Sequence, residues 1–181
     1  MGSEMASAIS PRIRSVNRRA VRYILLFGLI FGASYFIFGI APGVRTGILK
    51  PYTGLLARAV AAIVDVFGAG AVATGTLVKS ERFSMDIAMG CDGVEACCFF
   101  LAGVLAFPTV WRAKVIGLAL GVPLIQLINL GRLVGLFYAG TYLPSFEEEL
   151  HVYVAQTVVI LFSTAVLVYW LERFAVKHRP T

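Results

Sequence analysis

Three residues of this chain belong to types that together can carry out acyl transfer at a thiol. Cys91 supplies a nucleophile, Arg132 a cation able to stabilise an oxyanion, and His151 a side chain that exchanges protons near neutral pH. Each of them adjoins or lies within a different long apolar run. The chemistry therefore depends on whether the fold of those runs brings the three residues to one place.

Cys91 lies directly before an apolar run, in the sequence GCDGVE of residues 90–95. Asp92 and Glu95 are three residues apart and form a capping-box pattern, which predicts that a helix begins here. The unpaired N–H groups and the dipole at such a helix end are expected to favour a thiolate at Cys91. Asp92 and Glu95 are accordingly candidate supporting residues of the site.

The neighbours of this motif have separate predicted roles. Gly90 and Gly93 are expected to let the backbone approach a substrate closely. Cys97 and Cys98 lie a turn or more into the apolar run, where cysteine usually acts as a small packing residue. Neither of the two can reach Cys91 along one helix, because six or seven residues of rise exceed the span of a disulfide.

Arg132 and Asn129 are the polar residues of a strongly apolar stretch, and their spacing of three places them on one helix face. Intramembrane charges are costly and are usually paired and functional. If this helix enters the membrane at Arg112, its rise brings Arg132 to the opposite boundary, the expected level of Cys91. His151 precedes the last apolar run on the same side. Asn129 is therefore a candidate supporting residue.

Lipid must be the solvent for most of the chain. Of the 181 residues, 59% are hydrophobic and 14% charged, and the mean hydropathy of +0.83 is too high for an ordinary soluble domain. Apolar runs of membrane-spanning length predict an all-α integral membrane protein with four transmembrane helices. The predicted spans are Val21–Ile40, Val94–Val110, Val115–Tyr138 and Val152–Leu171.

The basic residues set the predicted orientation. The formal net charge is +6, but ten of the sixteen Lys and Arg cluster beside the apolar runs at the N-terminus, the loop at Arg112 and the C-terminus. Such clustering is the positive-inside signal and argues against a nucleic-acid partner. Both chain ends are thus predicted in the cytoplasm, with residues 42–93 and 140–151 outside. One membrane domain, 1–181, is expected, comprising a mobile basic segment 1–19, a core 20–171 and a basic tail 172–181.

The outer segment between the first two predicted spans contains two further elements. Pro51–Phe67 is apolar but carries Arg58 and Asp65, which favours an interfacial helix over a span. Gly68–Met89 is glycine-rich, with two short β-prone stretches around the charged KSER turn of residues 79–82. This pattern predicts a short extracytoplasmic hairpin.

The sequence resembles the exosortases and archaeosortases, and most closely the short exosortase H type. The resemblance rests on the Cys-x-Gly-Val block at Cys91, the Asn-x-x-Arg block ending at Arg132 and the lone His151 before a final span, and covers about residues 50–171. A departure from the expected pattern is Glu95, which adds a charge directly after the Gly-Val pair.

The resemblance implies a cysteine protease and transpeptidase that sorts proteins in the plasma (inner) membrane of a prokaryote. Cys91 would be the nucleophile, Arg132 the oxyanion stabiliser and His151 the acid/base. Its partners would be secreted proteins with a C-terminal tail of motif, transmembrane span and basic cluster, besides membrane lipid. The acyl acceptor is unknown, and the chemistry requires no metal or organic cofactor.

Two other functions are compatible with parts of the sequence. A small non-enzymatic channel or transporter component would use Arg132 to line a polar path, and Pro123 could break one helix, but the inverted repeats common in transporters are not evident. A metal or redox site would use Cys91 and His151 as ligands. Two ligands on separate helices, without a closely spaced partner, make a weak metal-site pattern.

Overall fold

The computed structural model describes residues 2–39, 41–87, 90–143 and 155–175, and His151 therefore lies outside the described residues. Five helices and one small sheet make up this part of the chain. The helices are α1 (Gly2–Gly39), α2 (Pro42–Val66), α3 (Val94–Ala106), α4 (Trp111–Tyr142) and α5 (Ala155–Trp170), which ends in a π-helical turn, Leu171–Ala175. The strands are β1 (Val72–Thr74), β2 (Leu77–Lys79) and β3 (Ser84–Asp86).

The predicted all-α membrane fold is confirmed. Four helices in the described residues are long and apolar enough to cross a membrane: Arg18–Gly39, Pro42–Val66, Trp111–Tyr142 and Thr157–Ala175. This set does not contain the second predicted span, Val94–Val110. The helix there ends at Ala106 and has 13 residues. Its length of about 20 Å is shorter than a hydrocarbon core of about 30 Å.

Helix α3 is the inner helix of a bundle. It packs against α1, α4 and α5, and buried side chains point from it in nearly every direction. A helix that is apolar all round is typically buried in this way. Close approach depends on small residues: a Cβ on Gly121 of α4 would collide with Phe100 of α3, and one on Gly103 of α3 would lie 2.6 Å from a methyl of Leu167 in α5.

Helices α3 and α4 run antiparallel, and their contacts fix which residues share a level. Near the start of α3, Gln126 of α4 donates a hydrogen bond to Cys97. Near its end, Lys114 of α4 donates to the carbonyl of Leu105 at 2.6 Å, a cation on the last carbonyls of a helix. The residues just before α3 therefore lie beside Asn129 and Arg132, as the sequence predicted from helix rise.

Helix α2 packs at the Cys91 end of the bundle rather than along it. Its buried face, Leu56 to Val64, meets the sheet through Val78 and Met85 and the end of α4 through Leu133 and Phe137. Both charged residues that argued for an interfacial helix, Arg58 and Asp65, are exposed. By length and composition α2 qualifies as a span, whereas its packing joins it to the sheet.

The sheet contains the predicted hairpin and one strand more. Strands β2 and β3 pair antiparallel around residues 79–82, as expected, and β1 pairs with the other side of β2. The prediction missed β1 because Gly70 and Gly75 surround it, and both have positive φ. Residues 88–89 at the end of the predicted hairpin lie outside the described residues.

The N-terminal segment is helical. The backbone forms a helix from Gly2 that is continuous with the first span to Gly39, while the mobility expected of residues 1–19 stays a prediction. The arginines and alanines of this stretch have high helix propensity, and the following apolar helix supplies a nucleus on which the segment extends.

Candidate active site

The segment between β3 and α3 carries Cys91 in a tight turn. Gly90 and Gly93 have φ of +89° and +74°, a region that favours glycine. Cys91 and Asp92 between them are buried, at 7% and 2% exposure. The hydroxyl of Tyr52 in α2 donates a hydrogen bond to the Asp92 carbonyl at 3.3 Å and so links the turn to α2.

Helix α3 begins where predicted, at Val94, but its start is not the expected capping box. The N-cap residue is Gly93, and Asp92 stands one position earlier, where its carboxylate accepts a hydrogen bond from the Val94 N–H at 3.0 Å. Glu95 lies in the first turn and is half-buried. The positive φ of Gly93 turns the chain sharply, and this shifts the cap by one residue from the sequence pattern.

Gly93 is required by packing against α4, and its expected role in letting a substrate approach the backbone stays a prediction. A Cβ on Gly93 would lie 2.8 Å from Nδ2 of Asn129. The glycine therefore lets the turn lie directly on α4. A Cβ on Gly90 would have no neighbour within 4 Å, so only the backbone conformation calls for glycine there.

Asn129 joins the turn to Arg132. The Asn129 side chain is fully buried, donates through Nδ2 to the Cys91 carbonyl at 3.2 Å and accepts through Oδ1 from Nη1 of Arg132 at 3.2 Å. The amide thus holds the Cys91 backbone and the guanidinium in one arrangement. The spacing of three residues that put Asn129 and Arg132 on one face accounts for their contact.

Arg132 presents one edge of its guanidinium to the thiol. Nη2 lies 3.9 Å from Sγ of Cys91, and Nε is buried with no hydrogen-bond partner in the described part of the chain. Nε and Nη2 form the edge of the planar fork opposite the nitrogen that Asn129 engages, and such an edge can donate two hydrogen bonds to one anionic group. A donor pair is therefore available beside the sulfur.

Burial dominates the electrostatics of Cys91. Burial raises the pKa of its thiol above the usual value, and the charge and hydrogen bond of Arg132 lower the pKa only in part. Asp92 and Glu95 raise the pKa slightly further. The expectation of a thiolate favoured by the helix end is therefore wrong for this state, because desolvation of the charged form outweighs the nearby cation.

Asp92 experiences the same environment. Burial raises the pKa of its carboxyl, while the hydrogen bond from the Val94 N–H opposes that shift.

Tyr52 was not predicted from the sequence, since it lies 40 residues before the carbonyl that it binds and no local pattern marks it.

The structure thus brings together Cys91, Asp92, Asn129 and Arg132, with Glu95 in the first turn of α3. Cys97 and Cys98 lie on α3 inside the bundle, as expected for packing residues. His151, the predicted acid/base, is outside the described residues.

Comparison with known proteins identifies the family. No curated protein and no solved structure matches the chain. A family model described as transmembrane exosortase matches residues 16–173. That range includes the sheet, every candidate site residue and the apolar parts of all five helices, so the chain belongs to the transmembrane exosortase family.

Proposed function

We propose that this protein is a membrane-embedded cysteine protease and transpeptidase that cleaves the C-terminal sorting tail of secreted proteins at the outer membrane face. Membership of the exosortase family supports a transpeptidase-type enzyme. The residue assignment rests on one observation. The Nε and Nη2 edge of the Arg132 guanidinium lies beside the Cys91 sulfur. A channel or a metal site has no comparable observation in its favour among the described residues.

In the proposed reaction, Sγ of Cys91 forms a bond to the scissile carbonyl carbon as its proton passes to His151. The negative charge on the carbonyl oxygen is stabilised by Nε and Nη2 of Arg132. Collapse of this intermediate breaks the C–N bond, and the leaving amine takes the proton from His151. The resulting thioester then passes its acyl group to an amine-bearing acceptor or to water, which restores the thiol.

The resting state fits this sequence of steps. A neutral, buried thiol is weakly nucleophilic, so the pKa of Cys91 favours attack only when a base removes the proton in the same step. Asn129 keeps the guanidinium fixed while charge develops, so no reorganisation of donors is needed.

Trapping tests the nucleophile. A candidate tailed substrate incubated with the purified protein should leave an acyl adduct on Cys91 in the mass spectrum. Cys91→Ala should abolish processing, whereas the matched variant Cys97→Ala, whose thiol accepts from Gln126 inside the bundle, should retain most of it. Processing by the Cys91→Ala protein would remove the thiol mechanism altogether.

Orientation in the plasma membrane is part of the proposal, with both chain ends in the cytoplasm and the sheet outside. Ser80 lies in the turn between β2 and β3, and Ser15 lies in the basic stretch before the first span. A membrane-impermeant thiol reagent should label Ser80→Cys in intact cells and leave Ser15→Cys unlabelled. Labelling of Ser15→Cys from outside would contradict this topology.

A further inference from the structure

Strand β3 is an edge strand, and the register shows which of its backbone groups face outward. The Ile87 N–H donates to the Thr76 carbonyl and the Ser80 N–H to the Phe83 carbonyl, each at about the ideal distance. In an antiparallel pair, hydrogen-bonded residues alternate along the strand. The N–H and C=O groups of Ser84 and Asp86 therefore point away from β2.

This outer edge has no hydrogen-bond partner in the part of the chain that the structure describes. The sheet order is β1-β2-β3, so β3 pairs only with β2. Ser84 and Asp86 are both exposed, while Met85 between them is buried against α2. An unpaired strand edge is a template for a further strand, which an extended peptide can supply through main-chain hydrogen bonds.

The end of β3 borders a groove beside the first turns of α2. A cavity of about 400 Å³ lies between Arg45, Leu49 and Lys50 of α2 on one side and Thr76, Asp86 and Ile87 of the sheet on the other. The groove therefore has the end of the edge strand as one wall and the first turns of α2 as the other.

Leu49 lies between this groove and the turn at Cys91. The same side chain borders a second, smaller cavity of about 30 Å³, which is also lined by Gly90 and Asp92, the residues on either side of Cys91. The groove beside Asp86 and the turn at Cys91 are therefore neighbours. Cys91 is only five positions after Asp86, a distance of at most about 17 Å.

We infer that the outer edge of β3 binds the substrate segment immediately before the scissile bond as an added β-strand. This inference rests on the proposed function. The occupant is an extended peptide because only a backbone can pair with the alternating N–H and C=O groups of Ser84 and Asp86; a lipid headgroup offers no such ladder.

The geometry sets the direction and length of the bound segment. Sheet and α2 pack on the last turns of α4, beyond Arg132, so the substrate's secreted part lies on the sheet side and its transmembrane tail on the bundle side. The substrate chain then runs in the same direction as β3, towards Cys91. Because the edge ends within about 17 Å of Cys91, the paired residues are those within about six positions before the scissile bond.

Backbone N-methylation tests the ladder without any knowledge of the natural recognition motif. The probes are positional libraries of acetylated hexapeptide benzyl thioesters, each with one residue N-methylated, added to the full chain in lipid nanodiscs. Acylation forms a Cys91 thioester and releases benzyl mercaptan, which carries away the thiol proton. We expect N-methylation to slow acylation about 3- to 10-fold at alternate positions only, the worth of one main-chain hydrogen bond.

A matched pair of proline variants tests the protein side. Ser84→Pro removes an outward N–H from β3, whereas Ala73→Pro removes one from β1, since β1 pairs with β2 through Val72 and Thr74. Ser84→Pro should lower the rate of acylation by the hexapeptides, relative to the rate with acetyl-alanine benzyl thioester, about tenfold, which is the loss of one such hydrogen bond. Ala73→Pro should change neither rate. If Ser84→Pro does not fold, the N-methyl scan of the unaltered protein decides alone.

The short thioester separates failure of this inference from failure of the proposed function. If acetyl-alanine benzyl thioester acylates Cys91 but the N-methyl scan shows no two-residue period, the strand-addition proposal is wrong and the nucleophile assignment stands. Equal slowing by both proline variants has the same meaning. If no thioester acylates Cys91, the proposed function is overturned, and strand addition with it.

Discussion

Substitution of Arg132 by lysine separates oxyanion stabilisation from membrane anchoring. Both residues carry a positive charge and both can reach an interface from a helix end. Only arginine has a planar fork, and here one nitrogen binds Asn129 while the Nε and Nη2 edge stays beside the Cys91 sulfur. A lysine has a single nitrogen, which cannot contact Asn129 and hold two donors on an oxyanion together.

The expected loss follows from the donors that disappear. Removal of one well-placed oxyanion donor typically costs about 100- to 1,000-fold in turnover, or about 2.7–4 kcal/mol of transition-state stabilisation. Arg132→Lys removes at least one of the two available donors, so we expect turnover to fall by about 100-fold or more. The helix should still insert, because the charge and its position are retained. An anchoring role predicts turnover close to that of the unaltered protein.

The assay is single-turnover acylation of Cys91, with protein abundance and detergent extraction measured on the same samples. Arg58→Lys is the matched control, since Arg58 is exposed on α2 and should tolerate the change. Near-normal acylation by Arg132→Lys, with normal abundance, would refute the two-donor role. A fall of equal size in Arg58→Lys would show that the assay reports general damage instead.

Three further results are expected. Asn129→Leu keeps the buried volume but leaves the Cys91 carbonyl and Nη1 of Arg132 without their partner, so thermal unfolding in detergent should show a loss of about 1–3 kcal/mol. Burial raises the pKa of Cys91, so its alkylation by iodoacetamide should increase about tenfold per pH unit up to about pH 9, and Arg132→Gln should slow alkylation over that pH range by raising the pKa further. Gly117→Ala should destabilise the bundle by about 1–3 kcal/mol because its methyl group collides with an indole ring of the last helix, whereas Gly28→Ala, with nothing within 4 Å, should not.

Local patterns in the sequence were sufficient for the parts of the site that depend on helix geometry. The start of α3 at Val94 follows from the change to an apolar run, and the contact between Asn129 and Arg132 follows from their spacing. The level of Arg132 relative to Cys91 follows from the helix rise per residue, counted from Arg112. Each of these predictions needs only the helical repeat or the length of a helix.

The features that the sequence did not predict depend on contacts between distant segments. Tyr52 reaches the Cys91 turn from 40 residues away, and β1 becomes a strand because β2 lies beside it. The packing requirement at Gly93 was not predicted, since the Asn129 side chain that requires the glycine belongs to a later helix. The raised pKa of Cys91 has the same origin, because the burial that causes it comes from the surrounding helices and not from the motif.

The protonation state of Cys91 bears on which group activates it. Arg132 lowers the pKa of the thiol but cannot accept its proton. The Asp92 carboxylate accepts a hydrogen bond from the Val94 N–H, which stabilises its charged form and weakens it as a base. A neutral imidazole is the side chain that most readily takes up a proton near neutral pH. The proton balance therefore favours a histidine as the base, and the lone His151 before the last span is the residue whose replacement by glutamine should abolish acylation while leaving iodoacetamide alkylation of Cys91 intact.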